Sequence, residues 1–280
     1  MSSYKTQTNI MKTLTYLVLI FITILCIAPI WLLFVNATRS TPQIQQGVSL
    51  IPSNNFLVNY HALTNQGLNI WRAVGNSFFI SVFSTIIGVY VSIMTAYGIK
   101  VYDFKGRKPL NSFILVLVLV PMQMSIIGFY QYMAKLGLLN SYIPLIIPAA
   151  CAASTVFFAL QYMESIIIKD LINAARIDGC TEFGIFNRIM IPIATPGIFT
   201  LSIFGFVASW NNFFTPFILI SKMDKYTLPM LVQTLRGDTY RTQMGAIYLG
   251  LAISILPVVI VYCFLAKYIV SGISMGAVKG

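Results

Sequence analysis

The charged residues of this 280-residue chain are spaced so that long stretches between them carry no charge. Six such stretches run from Lys12 to Arg39, Arg72 to Lys100, Lys108 to Lys135, Lys135 to Glu164, Arg188 to Lys222 and Arg241 to Lys267. An α-helix rises about 1.5 Å per residue, so about 20 apolar residues cross the hydrocarbon layer of a bilayer. Each stretch is long enough for one crossing. The spacing predicts an all-α integral membrane protein with six transmembrane helices.

Composition excludes a soluble globular fold. Hydrophobic residues make up 58% of the chain and charged residues only 9%, whereas a soluble domain carries about 25% charged residues. A soluble fold of this length would lack the polar side chains needed to cover its surface. The net charge of +11 does not indicate a nucleic-acid partner, because the basic residues flank apolar stretches and form no patch.

The apolar stretches set the predicted domain organisation. The predicted spans are Leu14–Val35, Val74–Ile99, Pro109–Ala134, Tyr142–Met163, Gly197–Ile220 and Thr242–Ala266. Together they form one transmembrane domain over 14–270, between an N-terminal tail (1–13) and a C-terminal tail (271–280). The first apolar run is longer than the core of a signal peptide, so we expect it to be retained as a helix.

The distribution of basic residues predicts the orientation. With both termini cytoplasmic, eleven of the 18 Lys and Arg residues lie inside and seven outside. The short loop from Lys100 to Lys108 carries four basic residues against Asp103 alone. Because basic residues accumulate on the cytoplasmic side, both termini are predicted to be cytoplasmic.

Ionisable groups are absent from all six predicted spans. Ion-coupled carriers usually hold a carboxylate at mid-membrane, although some use backbone carbonyls. A membrane-embedded enzyme, such as a glycosyl or lipid transferase, would need catalytic acids or metal ligands near one membrane face. No such set assembles, because the acidic residues between Glu164 and Glu182 lie far from the single histidine, and the four cysteines lack metal-ligand spacing.

A patterned segment, about 165–196, separates the fourth and fifth predicted spans. Asp170 is predicted as a helix N-cap, because its carboxylate can accept backbone N–H bonds. Gly179 suits the position just past the end of that helix, where φ is often positive. A second short helix is predicted from Thr181 to about Ile191. It would stop at Pro192, and Pro196 would open the next span.

The small residues Ala174 and Ala175 would let another surface approach this segment closely. The segment can therefore dock into a groove on a partner. It can equally lie flat on the membrane surface as an amphipathic helix. The residues alone leave both interpretations open.

The segment resembles the cytoplasmic loop of binding-protein-dependent permeases of ATP-binding-cassette (ABC) importers. That loop has the form Glu-Ala-Ala-x-x-x-Gly, nine residues, then Ile-x-Leu-Pro. The matching positions are Ala174, Ala175, Gly179, Ile189 and Pro192, with Asp178 as the residue often found before the glycine. The departures are Asn173 for the usual Glu, Cys180 for Ala and Ile191 for Leu.

This resemblance implies a type I ABC importer permease fold with a cytoplasmic coupling-helix loop, in a bacterial cell membrane. The implied ATPase-coupling residues are Asn173, Ala174, Ala175, Asp178 and Gly179. The chain carries no nucleotide-binding Gly-x-x-x-x-Gly-Lys-Ser/Thr loop, so it is expected to bind no cofactor, and ATP and Mg are implied on the partner ATPase. The implied partners are a homologous second permease, two ABC ATPase subunits, an extracytoplasmic sugar-binding protein and membrane lipid.

Further motifs resemble the carbohydrate-uptake branch of these permeases, including the maltose-type second permease. They are Asn59-Tyr60, Asn76-Ser77, Leu136 to Asn140, Ser209 to Phe213 and the terminal Gly276 to Gly280. The resemblance implies a sugar or oligosaccharide substrate. The alternatives are an ABC permease for a non-sugar solute, or a self-contained secondary carrier or channel, for which an internal repeat would be expected.

A polar and aromatic cluster in the fifth span suggests where a sugar could bind. The candidate substrate-path residues are Ser209, Trp210, Asn211 and Asn212, with Gln123 in the third span. Such side chains also join helices or anchor at the interface, which is the alternative interpretation. The loop Asp224–Arg241 resembles the segment that enters the binding protein in maltose-type permeases, with Gly237 and Asp238 near its tip.

Overall fold

The computed structural model describes residues 2–64, 69–234 and 243–277, and the side chains of 2–10, 122–123 and 265–277 lie outside the description. Within these residues the chain is all-helical, with fourteen α-helices. They are α1 Ser2–Ala37, α2 Thr41–Gln45, α3 Phe56–Thr64, α4 Ile70–Val101, α5 Arg107–Leu119, α6 Ile126–Lys135, α7 Ile143–Ile146, α8 Ala153–Ile166, α9 Lys169–Ile177, α10 Glu182–Ile185, α11 Ile191–Trp210, α12 Phe214–Leu219, α13 Leu228–Thr234 and α14 Met244–Ala277.

Five helical segments of the described residues are long and apolar enough to cross a membrane. They are Met11–Ala37, Ile70–Val101, Ile143–Ile166, Glu182–Trp210 and Met244–Phe264. Their outer surfaces are apolar, as expected for helices in lipid. In the first segment, only 6% of the most apolar 18-residue stretch is buried within the protein. The prediction of an all-α membrane fold is confirmed.

The third predicted span is not one continuous helix, so the predicted helix over Pro109–Ala134 is wrong in that respect. Helix α5 ends at Leu119, where Val120 and Pro121 adopt extended backbone conformations. A 3-10 turn, Met122–Ser125, follows before α6 begins. Proline has no N–H to donate and disfavours helical geometry in the residue before it. Pro121 therefore divides this apolar stretch into two shorter helices.

The fifth predicted span begins earlier and ends earlier than predicted. Pro192 does not stop a helix, because Glu182–Trp210 is one helical run of 29 residues. A π-helical turn, Phe186–Met190, leads into α11, and Pro192 lies in the first turn of α11. The Ile191 N–H donates to the Phe186 carbonyl, so the π-helical turn continues into α11 and the helix passes through Pro192 without a break. The run ends at Trp210, so the predicted continuation to Ile220 is wrong.

The chain divides into two compact units, residues 1–70 with 232–255 and residues 71–231 with 256–280. In the first unit, the buried Asn59 side chain closes the loop that follows α1. Its Nδ2 donates to the carbonyls of Ala37 (2.8 Å) and Arg39 (3.0 Å). Gly245 lies directly against the same amide, where an added Cβ would overlap its oxygen and nitrogen.

The second unit contains an apolar core. Its buried members come from α4, α5, α8, α9, α10, the π-helical turn and α11, and they include Ile93, Tyr97, Met163, Ile172, Ile185, Phe186 and Ala194. This core holds the segment between α8 and α11 against the end of α4.

Candidate functional site

Helix α9 occupies the centre of the segment that the sequence singled out. Its inner face carries Ile172 and Ala175, which are 1% and 6% exposed and belong to the core of the second unit. An apolar face that is buried in the protein cannot also lie on lipid. The contacts of α9 therefore disfavour the membrane-surface interpretation. Ala175 faces inward and packs in this core, whereas the neighbouring Ala174 is exposed.

The outer face of α9 is open. Asn173, Ala174, Asp178 and Gly179 are all exposed, so four of the five predicted coupling residues share one accessible surface. Ile177 beside them is 86% exposed. An aliphatic side chain left this open is available to contact a partner.

The start of α9 differs from the prediction. Ile168 is the N-cap residue, with an extended backbone and no side-chain capping bond. Asp170, predicted as the cap, lies in the first helical turn. Its carboxylate still favours the helix there, because the N-terminal end of the helix dipole is positive.

The end of α9 confirms the prediction for Gly179. The residue has φ +78°, a left-handed conformation that glycine adopts without steric cost. The Gly179 N–H donates to the Arg176 carbonyl and the Cys180 N–H to the Ala175 carbonyl, each at 3.0 Å. These two bonds form a Schellman motif, which ends the helix sharply.

Thr181 is the N-cap residue of the next helix, which was predicted to begin at this residue. Its Oγ1 accepts a hydrogen bond from the Gly184 N–H at 3.2 Å. Glu182 is the first residue of α10, and therefore of the 29-residue helical run.

Three side chains meet beside α9. The Arg176 guanidinium donates from Nε to Glu182 Oε1 at 2.6 Å and from Nη2 to Glu182 Oε2 at 3.2 Å. The Tyr102 hydroxyl donates to the same carboxylate. The Arg176 Cζ lies 5.7 Å from the centre of the Tyr102 ring, within cation–π range. Asn173 Oδ1 accepts from Arg176 Nη1 at 3.3 Å.

The pKa directions agree with this arrangement. Partial burial and then the hydrogen bond to Glu182 raise the pKa of Tyr102, so its hydroxyl remains a donor at neutral pH. The hydrogen bond to Glu182 raises the pKa of Arg176. Both donors keep their protons throughout the physiological range.

The sequence did not identify this cluster as a unit. Arg176 and Glu182 lie on either side of the predicted turn at Gly179, and that spacing is the only local signal that could have paired them. Tyr102 lies 74 residues from Arg176 in the chain, and no sequence pattern connects the two. Only packing of α9 against the end of α4 brings them together.

A second organised region lies at the other end of α4. The hairpin between α6 and α7 turns at Gly137 and Asn140, both with positive φ. Asn140 Oδ1 accepts from the backbone N–H groups of Ser221 (2.7 Å) and Lys222 (2.9 Å). Lys225 Nζ donates to the Asn140 carbonyl at 2.6 Å.

Asn76 and Ser77 near the start of α4 hold the next residues of the same segment. The Asn76 Nδ2 donates to the carbonyls of Asp224 (3.1 Å) and Tyr226 (2.9 Å). The Leu228 N–H donates to Ser77 Oγ at 2.8 Å. The motifs Asn76-Ser77 and Leu136–Asn140 therefore fix the base of the predicted binding-protein loop. Gly237 and Asp238, at its predicted tip, lie outside the described residues.

The predicted substrate-path residues lie at a break between two helices. Trp210 ends α11, Asn211 caps it, and α12 starts at Phe214. Trp210 is 1% exposed and stacks on Phe206, with ring centres 5.7 Å apart. Asn211 is exposed, while Ser209 and Asn212 are half-buried. Gln123 lies in the 3-10 turn after Pro121, and its side chain is outside the described part of the chain.

Comparison with known proteins gives a consistent result. Residues 88–275 match the family described as "Binding-protein-dependent transport system inner membrane component". The arabinooligosaccharides transport system permease protein AraQ of Halalkalibacterium halodurans is 36% identical over 93% of this chain and 94% of its own length.

Two solved structures share the fold. A bacterial ABC transporter involved in the import of the polysaccharide alginate contains a chain with a TM-score of 0.79 and 23% identity, covering 93% of this chain and 97% of that one. A bacterial alginate ABC transporter in complex with an alginate pentasaccharide-bound periplasmic protein gives a TM-score of 0.61 at 16% identity, covering 91% and 92%. The chain is therefore a multi-pass membrane protein that belongs to the family of binding-protein-dependent transport system inner membrane components.

Proposed function

We propose that the chain is the permease subunit of an ATP-driven ABC importer and forms half of the path for a sugar or oligosaccharide. The family assignment supports the transport role. The relative named for arabinooligosaccharide transport supports a sugar substrate, as do the carbohydrate-type motifs of the sequence. A permease for a non-sugar solute of the same family is the closest alternative.

The proposed coupling role is supported by the way α9 packs, with one face buried in the protein and the other exposed. Its inner face is held in the core by Ile172 and Ala175, and its outer face presents Asn173, Ala174 and Asp178. A short turn at Gly179 joins it directly to the helical run that ends at Trp210. A partner that moves α9 would therefore move the start of a membrane-crossing helix.

This function assigns the chemistry to other chains. ATP and Mg would bind to a partner ATPase present in two copies, and this chain would contribute no catalytic group. A homologous second permease would supply the other half of the path. An extracytoplasmic sugar-binding protein would deliver the substrate, and the complex of a related importer with its periplasmic protein supports that partner.

Orientation follows from the same assignment. The ATPase is cytoplasmic, so α9 and the basic loop Lys100–Lys108 would face the cytoplasm, with both termini on that side. The region fixed by Asn76 and Asn140 would then face the exterior, where the loop Asp224–Arg241 with Gly237 and Asp238 would meet the binding protein. This orientation agrees with the distribution of basic residues.

The substrate path would pass the break after α11. Discontinuous helices provide polar side chains and backbone groups at transporter binding sites. The exposed Asn211 and the half-buried Ser209 and Asn212 could hydrogen-bond sugar hydroxyls, with Gln123 as a further candidate. Trp210 would contact sugar only after leaving its stack on Phe206.

Co-purification tests the assignment most directly. The chain would be tagged, extracted gently from its native membrane, and its companions identified by mass spectrometry. An ABC ATPase and a second permease are expected, with ATP-dependent uptake of arabino-oligosaccharides by proteoliposomes that contain the binding protein. A chain that purifies alone and transports without ATP would instead identify a secondary carrier or channel.

A point variant tests the docking surface. Ile177→Lys places a charge on the outer face of α9 and disturbs little inside the chain, because Ile177 is 86% exposed. We expect co-purified ATPase to fall at least fivefold. Val48→Lys is the matched control, since Val48 is 82% exposed and lies in the loop between α2 and α3. Equal recovery of ATPase with both variants would contradict the docking assignment.

A further inference from the structure

The cluster of Tyr102, Arg176 and Glu182 joins three separate elements of the second unit. Tyr102 follows α4, Arg176 lies on α9 and Glu182 begins α10. The two nitrogen–oxygen bonds between Arg176 and Glu182 match the planar fork of the guanidinium to the plane of the carboxylate. Such a paired contact fixes relative orientation as well as distance.

The cluster contributes little to folding stability. The Arg176 and Glu182 side chains are 36% and 45% exposed, and ion pairs this open to water are weak. Its effect is geometric. Helix α9 has nine residues and only Ile172 and Ala175 are buried, so packing alone constrains its direction lightly. The cluster supplies the missing directional constraint.

The elements that the cluster joins are the ones that cross the membrane. Tyr102 packs edge-on against the buried Tyr97 ring, with ring centres 6.0 Å apart, and so is tied to α4. Glu182 is the first residue of the helical run that ends at Trp210. A displacement of Arg176 therefore pulls on two membrane-crossing helices at once.

We propose that Tyr102, Arg176 and Glu182 are positioning residues. They hold α9 at a set angle to α4 and to the Glu182–Trp210 run, so that movement of α9 by the ATPase is transmitted to both helices. This inference rests on the proposed function. It assigns transmission to Tyr102, which lies outside the loop motif, and to Arg176 and Glu182, which occupy positions that the motif leaves unspecified. Position 173 of the motif carries an uncharged Asn that is hydrogen-bonded to Arg176.

The test measures coupling in the complete importer reconstituted in proteoliposomes with its binding protein. The readout is the number of sugar molecules imported per ATP hydrolysed. Glu182→Gln removes the carboxylate charge, Arg176→Lys removes the fork, and Tyr102→Phe removes only the hydroxyl while keeping the ring packing. We expect the first two to lower the ratio at least threefold and Tyr102→Phe to lower it about twofold, with ATPase still bound in normal amount.

Arg107→Gln is the matched control. Arg107 forms an ion pair with Asp103 at 2.6 Å, and its side chain is 34% exposed, close to the 36% of Arg176. It lies in the same loop region, and it bonds to Asp103 and to the Lys100 carbonyl at the end of α4 (3.4 Å) instead of to α9 or the Glu182–Trp210 run. We expect its coupling ratio to equal that of the wild type.

The double variant Arg176→Lys with Glu182→Gln separates positioning from general damage. If the two residues act as one unit, the double variant loses no more coupling than the worse single variant. Multiplicative losses, or normal ratios in all three single variants, would overturn the proposal.

A wild-type complex without ATP-driven uptake would instead refute the proposed function, so the two failures are distinguishable. If Glu182→Gln prevents assembly, Tyr102→Phe decides alone, and a normal ratio there overturns the proposal.

Discussion

The two ends of helix α4 are organised by different chemistry. At its end, Tyr102, Arg176 and Glu182 hold α9 through a charged pair that is open to water. Near its start, roughly 40 Å away by helical rise, Asn76 and Asn140 hold the segment 221–226 through amide-to-backbone hydrogen bonds.

The difference indicates different tasks. Hydrogen bonds from a side-chain amide to backbone groups specify one backbone shape, because each donor and acceptor has a fixed direction. The two-bond contact between Arg176 and Glu182 fixes the angle between α9 and the Glu182–Trp210 run, and it joins side chains of two separate elements. The region near Asn76 is therefore suited to hold a loop still, and the region near Arg176 to make two helical elements move together.

The largest effect that separates the two regions is expected from a glycine variant in each. Gly179 and Gly137 both have positive φ, +78° and +69°, with nothing within 4 Å of an added Cβ. Gly179→Val and Gly137→Val should each cost about 1–2 kcal/mol of folding free energy from backbone strain. We expect Gly179→Val to abolish sugar uptake and to lower the amount of co-purified ATPase at least tenfold. Gly137→Val should retain the ATPase.

Thermal unfolding in detergent is the control for this comparison. Similar unfolding temperatures for the two variants would show that the strain is matched. Loss of the ATPase from Gly137→Val, or its retention with normal uptake by Gly179→Val, would invalidate the division of tasks between the two ends.

A second comparison tests the hydrogen-bond directions within the outer region. Asn76 acts as a donor to two carbonyls, so Asn76→Asp places a carboxylate oxygen against them and leaves both acceptors without this donor. We expect a loss of about 2–3 kcal/mol of folding stability and a proportionate fall in uptake. Asn140 Oδ1 acts as an acceptor, and Asp would preserve that role while its charge lies near Lys225. Asn140→Asp is therefore expected to retain near-normal stability.

Unfolding temperature and binding-protein-stimulated ATP hydrolysis would measure both Asn variants. Equal damage from the two variants would contradict the roles of Asn76 as a hydrogen-bond donor and Asn140 as an acceptor. Asn140→Ala serves as the reference for complete loss of the acceptor.

The smallest effect is expected from the outer ion pair. Arg72 and Asp224 are 3.2 Å apart, and their side chains are 58% and 46% exposed. Arg72→Gln should change folding stability by less than about 0.5 kcal/mol and leave the ratio of imported sugar to hydrolysed ATP unchanged. A marked loss of coupling from Arg72→Gln would show that exposed ion pairs at both ends of α4 matter equally, and the contrast with Arg176 would fail.

Much of the fold followed from the spacing of charge. A membrane-crossing helix must satisfy its backbone within itself and present apolar side chains to lipid, so charge-free stretches predicted four of the five crossing segments closely. The fifth, Glu182–Trp210, shares only residues 197–210 with its prediction. The interruption at Pro121 was harder to predict because proline is tolerated in many membrane helices. The helix continues past Pro192 because a π-helical turn precedes it, and composition does not predict such a turn.

The site was partly predictable for a similar reason. Gly179 could be assigned from sequence, because a helix end with positive φ has a strong local preference for glycine. The inward orientation of Ala175 could not, since it depends on which face of α9 meets the core.

The sequence by itself determined that this chain crosses a membrane, where four of its five long membrane-crossing segments run and which segment bears the family's loop pattern. These properties depend on local hydrophobicity and on backbone preferences at single positions. The tertiary structure alone decided that α9 is seated on the core, that Tyr102 shares the Glu182 carboxylate with Arg176, and that Asn76 and Asn140 fix one common segment. The side-chain hydrogen bonds of Tyr102, Asn76 and Asn140 join residues 80 to 150 positions apart in the chain, and only the packing of helices determines which distant side chains meet.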